Sequence, residues 1–120
     1  MDDKTYKAQV TRVNRYITKW EKLFSLTDWK MAYDFERSLD KSVAGAECWP
    51  EWKYMQARIA YNMLAIEHMS ERDLEHLVIH EFIHILLHEV TWKQEGDDTA
   101  AHEERATTAL TTAIMKGVFE

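Results

Sequence analysis

If residues Leu74 to Val90 form a helix, apolar side chains lie on almost all of its sides. This property constrains the fold more than any other feature of the sequence. The apolar residues of this segment recur at helical spacing on all sides: Leu74, Leu77, Val78, Phe82, Ile83, Ile85, Leu86, Leu87 and Val90. Such a helix has to be surrounded by other elements, because an exposed side would present apolar groups to water. Ser70 and Asp73 resemble a capping box with Asp in place of the usual Glu. We therefore predict a central, buried helix that begins after Ser70.

Three polar residues stand inside this apolar stretch, in the order His80-Glu81-Phe82-Ile83-His84. This is an H-E-x-x-H motif, whose two histidines share one helix face and can reach a single metal ion. Buried polar groups need partners, and a metal would satisfy both imidazoles. The alternative is a core helix with hydrogen-bonded histidines. The motif favours Zn²⁺ on His80 and His84, with Glu81 as the base that takes a proton from water.

A catalytic zinc site needs a third protein ligand, and five residues downstream are candidates: Asp97, Asp98, His102, Glu103 and Glu104. The sequence predicts a last helix over residues 99–116, with an apolar stripe made of Ala106, Ala109, Leu110, Ala113 and Ile114. Relative to this stripe Glu104 points towards solvent, while His102 and Glu103 flank it on opposite sides. Leu110 and Ile114, the bulkier members, lie nearer Glu103. This favours Glu103 as the third ligand, with His102 as the alternative.

The remaining patterns predict an α+β domain. Tyr6 to Phe24 shows apolar residues three and four apart, which indicates an N-terminal helix ending near residues 25–28. Strict alternation predicts strands over residues 29–36 and 54–61. The stretch between them is ambiguous and could hold a third, short strand within Val43 to Cys48. The prediction is a small sheet of three or four strands beside three long helices.

Composition narrows the class of protein. A chain of 120 residues suits one domain, residues 1–120. Its net charge of −6 argues against a nucleic-acid partner, which normally requires clustered Lys and Arg. We expect no membrane span and no signal peptide, because no apolar run is long enough. Cys48 is the only cysteine, so an internal disulfide is impossible, and a cytoplasmic setting is favoured. The oligomeric state is left open.

The motifs resemble those of gluzincins, and most of all the ImmA/IrrE-type metallopeptidases and minimal gluzincin-like domains. Their active helix often reads H-E-x-G-H-x-x-x-H and their glutamate helix E-x-x-A-N. The matching stretches here are His80 to His88 and Glu103 to Thr107. Ile83 replaces the usual Gly, and Thr107 replaces the Asn or Asp that orients a ligand histidine.

This resemblance implies a zincin-like fold and zinc-dependent hydrolysis of peptide bonds in a peptide or protein substrate. It implies His80, His84 and Glu103 as ligands and Glu81 as the general base. The strand over residues 54–61 would border the cleft and hold the substrate extended. Two alternatives remain: a zinc-stabilised regulatory or interaction module without useful turnover, and a SprT-like domain with His102 as third ligand.

Overall fold

The computed structural model describes residues 1–37, 44–92 and 97–119. Within these ranges the elements, in chain order, are α1 (Asp3–Leu23), β1 (Lys30–Glu36), β2 (Ala46–Glu51), β3 (Gln56–Asn62), α2 (Met63–Ile66), α3 (Glu71–Thr91) and α4 (Asp97–Phe119). A 3₁₀ turn, Trp52–Tyr54, joins β2 to β3. The predicted α+β class is confirmed, with four helices and one three-stranded sheet in the described part of the chain.

Helix α1 packs through one face, as its periodicity predicts. The carboxylate of Asp2 accepts a hydrogen bond from the backbone N–H of Thr5 at 2.7 Å, which caps the first turn. Val13, Ile17 and Trp20 are the buried residues of the helix. Their spacing of three and four residues brings them to one side, where they join the core.

The sheet is mixed, and its strand order is β1-β3-β2. Strand β1 runs parallel to β3, with Tyr33 opposite Ile59, and β2 runs antiparallel to β3, with Cys48 opposite Ile59. The alternation over residues 54–61 correctly predicted a strand, β3, but the expectation that it borders the cleft is wrong. β3 is the central strand and is hydrogen-bonded on both sides, so β2 takes the edge position. An alternating pattern reveals which faces are covered, but not the order of strands in a sheet.

Helix α3 lies at the centre, and the prediction of a buried helix after Ser70 is confirmed for most of its length. The side chain of Ser70 accepts from the backbone N–H of Asp73 at 3.1 Å. The buried apolar residues of the helix are Leu74, Val78, Ile79, Phe82, Ile83 and Ile85. Leu86 and Val90 are exposed, by 39% and 69%, so the last two turns are covered on fewer sides than the sequence indicates.

Helix α4 packs through a face that its apolar pattern does not reveal. Thr107, Thr111 and Met115 are buried, whereas Leu110 is 46% exposed and the three alanines of the predicted stripe are exposed as well. Burial of the threonines is tolerated because Thr107 donates to the carbonyl of Glu103 and Thr111 donates to that of Thr107, each at 2.7 Å. The predicted phase of this helix is therefore wrong, and Glu103 lies on the inward row.

Arg12 fastens α1 to the start of α3. Its guanidinium donates to the carbonyls of Ile66 and Met69 at 3.1 and 2.8 Å, and to the carboxylate of Glu71 at 2.7 Å. These bonds satisfy carbonyls in the segment that leads into α3 and set where that helix begins. Among the described residues, no helix has the length and apolar character needed to cross a membrane.

Candidate metal centre

The two motif histidines meet one carboxylate of α4. Nε2 of His80 lies 3.0 Å from Oε1 of Glu104, and Nε2 of His84 lies 3.0 Å from Oε2 of the same residue. The imidazole centroids are 4.9 Å apart, as expected for side chains one helical turn apart. Among the described residues, His80, His84 and Glu104 are the group of nitrogen and oxygen donors close enough together to hold one metal ion.

Glu103 contacts the other nitrogen of His84. Its Oε1 accepts from Nδ1 at 2.8 Å, and its Oε2 accepts from the hydroxyl of Thr91 at 2.6 Å. Because an ionised carboxylate can only accept, each of these contacts needs a proton on the ring nitrogen that makes it. A metal ion at Nε2 would replace the proton there and leave the one on Nδ1 for Glu103. His84 is thus held between two consecutive glutamates of α4, one at each ring nitrogen.

These contacts revise the assignment of α4. The expectation that Glu104 lies apart from the histidines is wrong: its side chain is 57% exposed, yet its carboxylate reaches both imidazoles. The predicted phase of α4 came from Leu110, Ile114 and the three alanines. Leu110 and the alanines in fact face solvent, and only Ile114 is half-buried. Glu103, the predicted ligand, touches His84 from the opposite edge of the ring. His102, the alternative ligand, is exposed and is not part of the cluster found among the described residues.

The group that orients His84 also differs from the one that the resemblance led us to expect. Thr107 stands where the gluzincin motif carries Asn or Asp, but its hydroxyl donates to the backbone carbonyl of Glu103. The carboxylate of Glu103 takes up the contact to the imidazole instead.

Electrostatics favour the neutral form of His80 and the ionised form of Glu103. Burial lowers the pKa of His80, against the opposing effect of the Glu104 carboxylate. Burial alone would raise the pKa of Glu103, but the hydrogen bonds with Thr91 and His84 hold it below its ordinary value. A neutral imidazole and an ionised carboxylate are the forms that coordinate zinc.

Glu81 is buried beside this cluster. It is 6% exposed, and within the described part of the chain no hydrogen bond or ion pair engages its carboxylate. Burial raises its pKa to about 7; the charge of His84 opposes this shift, and the carboxylates of Glu104 and Glu47 add to it. A buried carboxyl group without a partner is costly unless a ligand or a reaction uses it.

The cluster opens into a cavity of about 890 Å³ between the edge strand β2 and helix α3. Residues 44–50 form one wall, and His76, His80, Glu81 and His84 are among those that form the other. Cys48 belongs to the strand wall, and burial, followed by the charges of Glu81 and Glu103, raises the pKa of its thiol. Neither the position of β2 at the cavity wall nor the place of Glu104 beside the histidines was predicted from the sequence.

On the side away from β3, strand β2 presents backbone N–H and C=O groups that do not pair with another strand of the described sheet. The backbone carbonyl of Gly45 accepts from the N–H of Asn62 at 2.8 Å, so alternate residues from Gly45 onwards bond to β3. The peptide groups of Ala46 and Cys48 therefore point outwards from the sheet. Pro50 has the same orientation, and its missing N–H costs the sheet no hydrogen bond there. An extended chain could pair with this edge.

Comparisons with protein-family models, with curated proteins and with solved structures found no match for this chain. The function of this chain is therefore inferred from the geometry and the chemistry of this centre.

Proposed function

We propose that this protein is a zinc-dependent peptidase with a gluzincin-like, zincin-type site. His80, His84 and Glu104 would hold the ion, and Glu81 would act as general base. The observation that carries the proposal is that both Nε2 atoms converge on one carboxylate next to a buried, unpartnered Glu81.

The donor set fits zinc. Two imidazole nitrogens and one carboxylate oxygen make a three-ligand site, which is the composition of catalytic zinc centres. Ligand atoms about 2.0–2.2 Å from a tetrahedral ion lie roughly 3.3–3.6 Å from each other. The two 3.0 Å contacts go to different oxygens of Glu104, and one donor atom from each of the three residues lies within 4.8 Å of the others. Binding an ion would therefore draw the three side chains together by roughly an ångström. Glu103 would then hold His84 from behind, as carboxylates do for many zinc-bound histidines.

The role of each residue follows from its position. A zinc ion at this site would polarise the scissile carbonyl and make water a better nucleophile at neutral pH. Glu81 accepts the proton of the attacking water and passes it to the leaving amine. Ala46 and Cys48 bind the substrate backbone in an extended form along β2. A zinc-stabilised module without turnover would not require a base at position 81.

The substitution Glu81→Gln tests the proposal, because it preserves size while removing the base. We expect zinc content to stay near one ion per chain and peptide hydrolysis to fall by at least about 100-fold, the scale of general base catalysis. Zinc is measured by elemental analysis, and hydrolysis by mass spectrometry of a mixed peptide library. Glu89→Gln, at an exposed position of the same helix, is the matched control and should leave both unchanged.

Two results would contradict the proposal. Unchanged turnover in Glu81→Gln would mean that another group is the base. A wild-type protein that binds zinc stoichiometrically and cleaves no peptide of the library would favour the regulatory module instead.

A further inference from the structure

Acidic side chains line the cavity onto which the candidate ligands His80, His84 and Glu104 open. Among the described residues, no Lys or Arg lines it. Its carboxylates are Glu47, Asp73, Glu81, Glu103 and Glu104. The last three belong to the proposed catalytic centre. Glu47 and Asp73 do not, and no ion pair with a cation engages either of them within the described part of the chain. A bound Zn²⁺ would offset two of these charges, and the cavity remains negative even when Glu81 is protonated.

Glu47 and Asp73 stand on opposite walls of the cavity. Glu47 lies on β2 between Ala46 and Cys48, the two residues with outward-facing peptide groups. Asp73 lies on the same face of α3 as His80, seven residues earlier, which is about 10 Å along the helix. An extended peptide covers that distance in about three residues. The buried, unpartnered Glu81 points to the same cavity, which indicates a ligand there and not merely a solvated acidic surface.

We propose that this site selects peptides that carry Lys or Arg within about three residues of the scissile bond, and that Glu47 and Asp73 recognise those side chains. The inference rests on the proposed peptidase function and adds a substrate class to it. A substrate paired with Ala46 and Cys48 places its intervening side chain beside Glu47, because neighbouring strands align their residues on the same face. Asp73 meets a residue farther along the peptide.

The experiment uses zinc-loaded wild-type protein and peptides that differ only in carrying Lys, norleucine or Glu at each position around a mapped cleavage site. We expect kcat/KM to be highest for Lys at one or more of these positions. Glu47→Gln and Asp73→Asn should each reduce the preference for Lys over Glu by about threefold to fivefold, the scale of one partly exposed charge pair. Zinc content should not change in either variant. The preference should also weaken at high salt, because ionic screening shortens the range of the attraction.

Glu51→Gln is the matched control. Glu51 lies on the same strand face as Glu47 but does not line the cavity onto which the candidate ligands open. Its carboxylate accepts a hydrogen bond from Gln56 at 2.8 Å. This variant should retain the full preference for Lys. A preference that survives in both Glu47→Gln and Asp73→Asn would reflect the general acidity of the protein and would overturn the proposal.

A binding measurement separates this inference from the proposed catalytic function. Zinc-loaded Glu81→Gln is titrated with the same peptides, and tryptophan fluorescence reports binding because Trp49 lines the cavity. Tighter binding of Lys peptides than of Glu peptides, lost in a Glu47→Gln background, supports the recognition of cations even if no peptide is cleaved. Hydrolysis without any preference for Lys over Glu would overturn the inference about substrate charge, while the proposed peptidase function would still hold.

Discussion

At the scale of single residues, the most informative feature is that Glu103 and Glu104 both contact His84 although they are neighbours on one helix. Successive residues of a helix point about 100° apart, so adjacent side chains rarely converge. Here the imidazole ring lies between them, with Nδ1 towards Glu103 and Nε2 towards Glu104. Since Nε2 of His80 also faces Glu104, the geometry favours Glu104 as a ligand and Glu103 as the residue that orients His84.

Alanine substitutions of the two glutamates should have unequal effects on zinc affinity. Glu104→Ala removes a direct metal bond and should weaken binding most. Glu103→Ala removes only the support of His84 and should cost about 10–100-fold, as is usual for outer-shell partners. Competition with a chromogenic chelator ranks them, and His102→Ala is the control that should bind zinc like the wild type. If Glu103→Ala weakened zinc binding more than Glu104→Ala did, Glu103 would be the third ligand.

At the scale of elements, the proposed metal site depends on how α3 is positioned against α1. Glu75 is buried on α3 and accepts hydrogen bonds from Trp20 at 2.8 Å and from Lys19 at 2.7 Å. Arg12 of α1 ties down the segment that precedes α3. Arg12, Lys19 and Trp20 all donate from one face of α1. A shift of α1 would therefore remove the hydrogen-bond donors of Glu75 and of the Ile66 and Met69 carbonyls together.

Arg12→Ala should destabilise the fold by about 1.5–3 kcal/mol, the range for hydrogen bonds that involve a charged group. The substitution leaves the carbonyls of Ile66 and Met69 without their donor. Arg15→Ala is the matched control: Arg15 is 62% exposed and lies 3.8 Å from the same Glu71, so its loss should cost less than about 1 kcal/mol. Urea unfolding of the three proteins measures both values. Equal costs for the two variants would show that the carbonyl contacts of Arg12 contribute little.

At the scale of the whole molecule, the hydrophobic core and the candidate metal ligands share helix α3. One side of the helix packs in the hydrophobic core, and the other carries His80 and His84 towards the cavity. Helix α4 supplies the remaining donors, so a bound ion would join two helices that the motif alone leaves separate. Metal binding should therefore stabilise the fold as well as prepare the site.

Zinc should raise the free energy of unfolding in proportion to its occupancy. An ion that binds only the folded state contributes about 2.7 kcal/mol when its free concentration is 100 times the dissociation constant. Urea unfolding in buffered zinc should show this gain for the wild type and none for the double variant His80→Ala with His84→Ala. Mg²⁺ should not substitute, because it prefers oxygen ligands. Equal stabilisation of the double variant would place the zinc elsewhere.

The sequence alone was enough to predict the α+β class, the N-terminal helix, two of the strands, the start of α3 and the shared helix face of His80 and His84. Each of these properties is local. Apolar spacing, a side-chain cap and an i, i+4 pair depend on residues within a turn or two, so they can be inferred without knowing what packs against them. Zinc, peptide hydrolysis and a cytoplasmic setting stay predictions.

The order of strands and the phase of α4 could be known only from the packed fold. Both depend on contacts between distant segments: β1 pairs with β3, which moves β2 to the edge beside the cavity. In α4 the sequence argument assumed that the most apolar stripe faces inwards. The packed face instead carries Thr107 and Thr111, whose hydroxyls bond to their own helix and so bury at little cost, while Leu110 stays exposed. That rotation brings Glu104 to the histidines, and no local pattern in the sequence reveals it.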